Sequence, residues 1–210
     1  IKNRFLFLNI FILIFITRAI LVHFFPIITG DWATYSLVAK NILSGCGVSL
    51  SELGSAECLP HFGGNQGPGY PFFISMLWYI FGENENLIRY SQLFILSISF
   101  LYFIKIVNNF FEDKNFTILI SIIFILSPLT MPWPRFLLTE TLALAASTIF
   151  FALLMKSIIN KKIEVLSIGL VMVISTFIRI DLLLLFPCLL SFFYIFENKY
   201  DTFIKLIKIF

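Results

Sequence analysis

Long apolar stretches, separated by short polar segments, run through most of the sequence. A helix that crosses a bilayer needs about 20 mostly apolar residues, and fewer where its ends are anchored by long polar side chains. The stretches that meet this requirement are residues 5–25, 87–108, 115–134, 139–156, 162–179 and 181–197, with a truncated seventh at 202–210. The pattern predicts an all-α fold: a single polytopic bundle of transmembrane helices. Because the chain begins without Met and stops inside an apolar run, we expect an N-terminal fragment of a longer protein.

The segment between the first two spans, residues 26–86, has a different composition. It holds nine of the ten glycines and two of the three cysteines. Within it, residues 31–44 repeat apolar side chains at helical spacing, which predicts an amphipathic helix along the membrane surface. Residues 70–81 are apolar, but as a helix they would reach only about 18 Å, against a hydrocarbon core of about 30 Å. We therefore expect a juxtamembrane or re-entrant helix there.

The overall composition supports the membrane assignment. The chain is 59% hydrophobic and 13% charged, with a mean hydropathy of +0.96, whereas soluble domains carry roughly 25% charged residues. Such a chain has too few charges to cover a water-facing surface, which excludes a soluble enzyme, a disordered tail and a disulfide scaffold. The net charge of +3 is too small to indicate nucleic acid as a partner.

The lysines predict the orientation in the membrane. If the N-terminus is cytoplasmic and residues 70–81 do not cross, nine of the ten lysines lie on the cytoplasmic side and only Lys40 lies outside. Positive residues accumulate in cytoplasmic loops. We therefore expect a multi-pass integral membrane protein with a cytoplasmic N-terminus and an extracytoplasmic loop at residues 26–86.

The arginines follow the opposite distribution. Four of the five lie at or near the outer ends of the spans, at the same level as three acidic residues. The residues are Arg18, Arg89, Arg135 and Arg179, with Asp31, Glu140 and Asp181. Interfacial anchoring and ion pairing would explain such residues one by one. Taken together they indicate an anionic ligand, because guanidinium binds phosphate through two parallel hydrogen bonds. A carboxylate base beside arginines suits group transfer from a phosphate, and it equally suits a transporter's gate.

Several short motifs, in order, resemble the GT-C membrane glycosyltransferases. They include the run from Gly30 and Asp31 to Tyr35, the Gly-Pro-Gly-Tyr-Pro run that begins at Gly67, and Thr139-Glu140-Thr141. The resemblance covers roughly residues 5–180. It is nearest to the dolichyl-phosphate-mannose-protein mannosyltransferases and lipid A aminoarabinose transferases, that is, to glycosyltransferase family 39.

The resemblance implies a GT-C bundle and a defined reaction. A sugar would pass from a polyprenyl-phosphate donor to an acceptor lipid, protein or glycan at the extracytoplasmic face, with inversion at the sugar carbon. The donor is a substrate and no cofactor is certain; whether a divalent metal takes part is left open, since Trp32 stands where many relatives have a second acid. The Ile-, Phe-, Lys- and Asn-rich usage indicates an AT-rich bacterial genome, and we expect the membrane to be the bacterial inner membrane.

The same resemblance implies roles for individual residues. Asp31 would be the catalytic base and Glu140 the second catalytic acid, although Asp31 also fits a helix N-cap and Glu140 a charge favoured by the dipole at a helix N-terminus. The donor phosphate would be bound by Arg135, Arg89 and Arg18. The substrate pocket would be lined by Tyr35, His61, Gln66 and Tyr70. No metal ligands are assigned, because His61 has no second histidine at ligand spacing.

Two further questions stay open at the level of sequence. Cys46 and Cys58 share the outer loop and would form a disulfide in an oxidising compartment, which their spacing permits. The alternative function is a transporter or flippase for an anionic lipid or solute, which would use the same arginines but would be expected to show inverted repeats.

Overall fold

The structure is a computed structural model that describes residues 2–53, 58, 67–127 and 130–194. Eight α-helices carry most of these residues. They are α1 Lys2–Phe24, α2 Gly30–Leu43, α3 Gly69–Phe81, α4 Glu85–Phe111, α5 Lys114–Leu126, α6 Glu140–Asn160, α7 Val165–Ile178 and α8 at 185–194. Short 3-10 turns, Trp133–Arg135 and Ile180–Leu184, precede α6 and α8. The helical fold class is confirmed for this part of the chain.

Among the described residues, three helices are long and apolar enough to cross a membrane. They are Phe5–Phe24, Glu85–Phe111 and Glu140–Asn160, and they coincide with the first, second and fourth predicted spans. Side chains such as Leu13 and Ile20 on α1 are half exposed, as expected for a surface that faces lipid. These helices make the chain a helical membrane protein; the number of passes and the orientation stay predictions.

Three other predicted spans are shorter than expected. The helix of the third, α5, stops after 13 residues at Leu126, about 20 Å at the usual rise. Ser127 adopts an extended conformation, because a residue that precedes a proline is disfavoured in the α region. Helix α7 ends at Ile178, where Arg179 is extended. The segment predicted at 181–197 begins as a 3-10 turn, and 202–210 lies outside the described residues.

Helix α4 is the centre of the bundle and packs against α1, α5 and α6, while α7 packs against α6. The segment that follows α1 contacts the segment that precedes α6, so that the end of α1 and the start of α6 lie at the same end of the bundle. There, the backbone N–H of Ile27 donates to the carbonyl of Arg135 at 3.2 Å, and Ile27 pairs with Phe136 in an isolated β-bridge. We call this the upper end; it is the end that the lysine distribution assigns to the extracytoplasmic side.

The two helices predicted within residues 26–86 are confirmed as helices and lie side by side at the upper end. Edge-to-face ring pairs join them, Trp32 to Trp78 with centroids 5.9 Å apart and Tyr35 to Tyr70 at 4.9 Å. Helix α3 also contacts the end of α7, where Gly69 lies directly against the backbone of Phe177. Helices α2 and α3 are thereby held over the bundle, and their position at the membrane surface stays a prediction.

A disulfide joins Cys46 to Cys58, with Cα atoms 5.3 Å apart, and closes the loop that follows α2. Cys188 on α8 is a free thiol. Disulfides persist in oxidising compartments, so the pairing agrees with the predicted extracytoplasmic side of this loop.

We expect Cys188 to react with maleimide in denatured, unreduced protein, and Cys46 and Cys58 to react only after reduction. The reason is that Cys188 is a free thiol in the structure, whereas Cys46 and Cys58 are joined. Peptide mass spectrometry of protein from its native membrane locates the labels. Cys188→Ser serves as the control, and its Cys46 and Cys58 should label only after reduction; labelling of either one without reductant would contradict the pairing.

Candidate functional site

A cluster of charged and hydroxyl side chains lies at the upper end between α2, α6 and α7. The guanidinium of Arg179 donates from one nitrogen to Glu140 Oε1 at 2.7 Å and from the other to Asp181 Oδ2 at 2.7 Å. Glu140 belongs to the first turn of α6, where the helix dipole favours a negative charge. The Glu140–Arg179 pair therefore joins the start of α6 to the end of α7. We use the name acid–arginine cluster for six residues: Asp31, Tyr35, Thr139, Glu140, Arg179 and Asp181.

Tyr35 connects α2 to this cluster. Its ring is 5% exposed, and burial is the main cause that raises the pKa of its hydroxyl. A hydrogen bond with Thr139 lowers that pKa, the carboxylates of Glu140 and Asp31 raise it, and Arg179 lowers it. The structure thus brings both predicted catalytic acids close enough to act on one phenol, which stays protonated at neutral pH.

Asp31 has the environment of an available base. It is exposed and lies in the first turn of α2, whose N-cap is Thr29, so the alternative that Asp31 caps this helix is wrong. Within the described part of the chain its carboxylate takes part in no ion pair. Glu140, by contrast, is bound to Arg179 and is suited to holding that guanidinium.

Tyr70 lies behind Tyr35 in the core. It is fully buried, and its hydroxyl accepts a hydrogen bond from Gln92 Nε2 at 2.8 Å. The same amide donates to the carbonyl of Leu138 at 2.9 Å. Burial is the main cause that raises the pKa of Tyr70 above its usual range. Tyr70 was expected in the substrate pocket, and the structure places it where it supports Tyr35 through ring contact.

Arg135 and Arg89 lie next to each other beside the site. Arg89 is buried, and its guanidinium donates to the carbonyl of Arg135 at 3.2 Å and to Glu85 Oε2 at 3.3 Å. The guanidinium of Arg135 lies 5.7 Å from the ring centre of Phe136 and forms no ion pair with any described residue. Arg135 is therefore the arginine whose charge is available to bind an external anion, and Arg89 holds the backbone of Arg135 in place.

Arg18 lies in a different environment. It is 1% exposed, and its guanidinium donates to the carbonyl of Phe124 at 2.9 Å and to Thr130 Oγ1 at 3.0 Å, stacked 4.7 Å from the Phe124 ring centre. These partners belong to α5 and the segment after it, not to the acid–arginine cluster. Two of its nitrogens are buried without a hydrogen-bond partner among the described residues. The contacts show Arg18 holding α1 to α5.

An apolar cavity of about 820 Å³ adjoins the cluster, between α2, the start of α3, α7 and α8. Its walls include Tyr35, Val38, Pro68, Met172, Phe177 and Phe186. Tyr35 therefore belongs both to the cavity and to the charged cluster. A space with apolar walls and a polar edge suits a ligand with a hydrocarbon part and a charged head.

His61 and Gln66 lie outside the described residues. Within the described ranges, no group of three or more His, Cys, Asp or Glu side chains is arranged to hold a metal ion, so no ligand set is assigned. Arg179 was predicted only as one of the arginines at the outer ends of the spans; its contact with Glu140 spans 39 positions, and no local pattern signals it.

No protein-family model matches the sequence, and no curated protein or solved structure is significantly similar to it. The class that the fold and site define is a helical membrane protein with carboxylates and arginines at one end of its bundle, beside an apolar cavity.

Proposed function

We propose that this chain is part of a GT-C-type glycosyltransferase that moves a sugar from a polyprenyl-phosphate donor to an acceptor at the extracytoplasmic membrane face. The observation that carries the proposal is the meeting of Asp31, a carboxylate in no ion pair with a described residue, with Tyr35 and the Glu140–Arg179 pair beside an apolar cavity. An amphipathic donor, with a prenyl chain and a sugar phosphate, needs both an apolar space and a charged edge. The proposed membrane is the bacterial inner membrane, with the N-terminus in the cytoplasm.

The proposed reaction is a single displacement. Asp31 takes the proton of an acceptor hydroxyl as that oxygen attacks the anomeric carbon. The new carbon–oxygen bond forms on one face while the bond to the phosphate oxygen breaks on the other, which inverts the carbon. The polyprenyl phosphate departs with the bonding electron pair, and the proton is left on the carboxyl of Asp31.

The departing phosphate gains negative charge, which a preorganised cation stabilises. In the proposal Arg135 supplies that cation, because it has no described carboxylate partner. Arg89 positions Arg135 by donating to its carbonyl. Arg18, first predicted to bind the phosphate, acts through the packing of α1 on α5. Glu140 and Arg179 hold the Thr139 turn beside Tyr35.

We expect Arg135→Gln to lower kcat/KM for the donor at least about tenfold, because the lost cation stabilises the phosphate as it departs. A hydrogen bond to a charged group contributes about 1.5–3 kcal/mol, and 1.4 kcal/mol is about a factor of ten. The measurement is transfer of label from a radiolabelled polyprenyl-phosphate sugar in membranes that hold the full-length protein. The control is Lys105→Gln, which changes an exposed lysine on α4 at the opposite end and should leave kcat/KM unchanged.

The same assay tests the proposal as a whole. Transfer requires that label leave the lipid pool and enter a new glycosidic bond. Label that crosses the bilayer while still attached to its lipid would instead support the transporter or flippase alternative, and the arginines would then belong to a translocation route.

A further inference from the structure

A second cavity lies on the other side of α2 from the apolar one. It measures about 320 Å³, near the lower end of the roughly 300–1,000 Å³ typical of small-ligand sites. We call it the indole pocket, and its lining is polar and aromatic. The lining residues are Trp32, Ser36, Lys40, Trp78, Glu83, Asn84 and Glu85.

Two of these residues are buried indoles that contact each other edge to face. Trp32 is 7% and Trp78 is 6% exposed. The Nε1–H of Trp32 donates to Glu85 Oε1 at 2.9 Å, whereas the Nε1–H of Trp78 is buried with no hydrogen-bond partner among the described residues. A buried donor without a partner is costly, so the wall of the pocket includes an indole whose N–H the described residues do not satisfy.

The charges of the pocket balance within its walls. Lys40 Nζ lies 2.8 Å from Glu83 Oε2 and 5.7 Å from the ring centre of Trp78. It therefore already occupies the place over an indole that a ligand cation would take. Glu85 accepts from Trp32 and, at 3.3 Å, from the buried Arg89. A cationic or anionic ligand would have to displace these pairs, and a neutral one would not.

Two side chains of the pocket have hydrogen-bond donors to spare. The Lys40 ammonium has three protons, and one described hydrogen-bonding contact, with Glu83, uses one of them. Asn84 uses its amide oxygen to cap α4 at Asn86 and Leu87, which leaves the two protons of its amide nitrogen for another partner. Sugar hydroxyls accept such hydrogen bonds and also donate, and the apolar C–H surface of a sugar ring packs against aromatic rings. A neutral sugar therefore matches the donors and the aromatic wall of this pocket.

The pocket and the acid–arginine cluster lie on neighbouring faces of one helix. Trp32, Ser36 and Lys40 are spaced by four residues and form one face of α2, while Asp31 and Tyr35 form the adjacent face, about 100° away. A ligand in the indole pocket is therefore next to the proposed base. We propose that the indole pocket binds a neutral sugar unit of the acceptor, which makes the acceptor a glycan or glycolipid. The assignment of that sugar to an acceptor rests on the proposed function.

The test uses tryptophan emission, because two of the three tryptophans in these 210 residues line the pocket. The full-length protein carries Trp133→Phe, and a second protein that also carries Trp78→Phe and Trp32→Phe gives the emission that does not come from the pocket. Both are held in a polyoxyethylene detergent, which has neither a sugar nor a charge. The probes are methyl α-D-mannopyranoside, methyl β-D-glucopyranoside and N-acetylglucosamine, with choline and inorganic phosphate as charged comparisons. At least one neutral sugar should change the emission saturably.

The variants are Glu83→Gln and Lys40→Met, which alter side chains that are 57% and 34% exposed and so should not prevent folding. Each should weaken sugar binding about tenfold, as expected for loss of a hydrogen bond to a charged group. Glu52→Gln, an exposed residue outside the pocket, is the matched control. The proposal is overturned if no neutral sugar gives a saturable change, if both variants bind like the parent, or if only choline or phosphate responds.

This result is separable from the proposed function, because no donor is present in the titration. Sugar binding in a protein that transfers nothing would support the indole pocket and reject the glycosyltransferase. Transfer in a protein whose tryptophan emission responds to no sugar would support the glycosyltransferase and reject the indole pocket as a sugar site.

Discussion

Asp31→Asn is expected to reduce sugar transfer by about 10²–10⁴-fold, the usual contribution of a positioned general base. The amide has nearly the same shape but does not take up the acceptor's proton. Asp31 is exposed, is not the N-cap of α2 and is in no described ion pair. The substitution should therefore leave insertion and folding intact. Single-turnover transfer from labelled donor, at saturating acceptor, measures the loss.

Two controls separate a catalytic role for Asp31 from an effect on structure. The melting temperature of Asp31→Asn should match that of the parent protein, and Glu52→Gln, which removes another exposed carboxylate from the same segment, should transfer normally. Full activity in Asp31→Asn would remove the proposed base from the mechanism.

Gly69→Ala is expected to destabilise the fold by about 1–3 kcal/mol, the cost of forcing extra atoms into a packed contact. A Cβ added to Gly69 would lie 2.7 Å from the carbonyl oxygen of Phe177 and 2.8 Å from its carbonyl carbon. Both contacts are with backbone, so a change of side-chain rotamer does not relieve them. At about 2–4 °C per kcal/mol for a chain of this size, the melting temperature should fall by several degrees.

Gly169→Ala is the matched control for this clash. Gly169 lies inside α7, and a Cβ there would meet nothing within 4 Å. Alanine stabilises a helix interior by up to about 1 kcal/mol relative to glycine, so the melting temperature should stay equal or rise. Equal shifts in the two variants, measured by thermal unfolding in detergent, would show that the contact of α3 with α7 is not tight.

Much of the fold follows from local patterns. The helix at Gly30–Leu43 is predicted by apolar spacing and a following glycine, and the one at Gly69–Phe81 by a short apolar run. The three long apolar helices follow from length and hydropathy. Helix length was harder to predict. Apolar composition continues past Leu126, but the backbone there does not stay helical, and hydropathy does not register this change.

The candidate site, like the fold, was predicted from the sequence only in part. The amino-acid sequence by itself determined that this chain is a helical membrane protein, because composition is a property of the chain alone. The placement of charges along the chain likewise predicted that four of its five arginines and three acids lie near the same ends of the spans. Only the tertiary structure decided how they pair. Arg179 could not be assigned to Glu140 from sequence, since the contact depends on where α7 ends against α6.

Arg18 and Arg135 are chemically alike in sequence, yet packing separates them. It buries Arg18 against α5 and leaves Arg135 without a described carboxylate partner. Contacts between distant segments depend on the three-dimensional packing of the helices, and no local pattern encodes them.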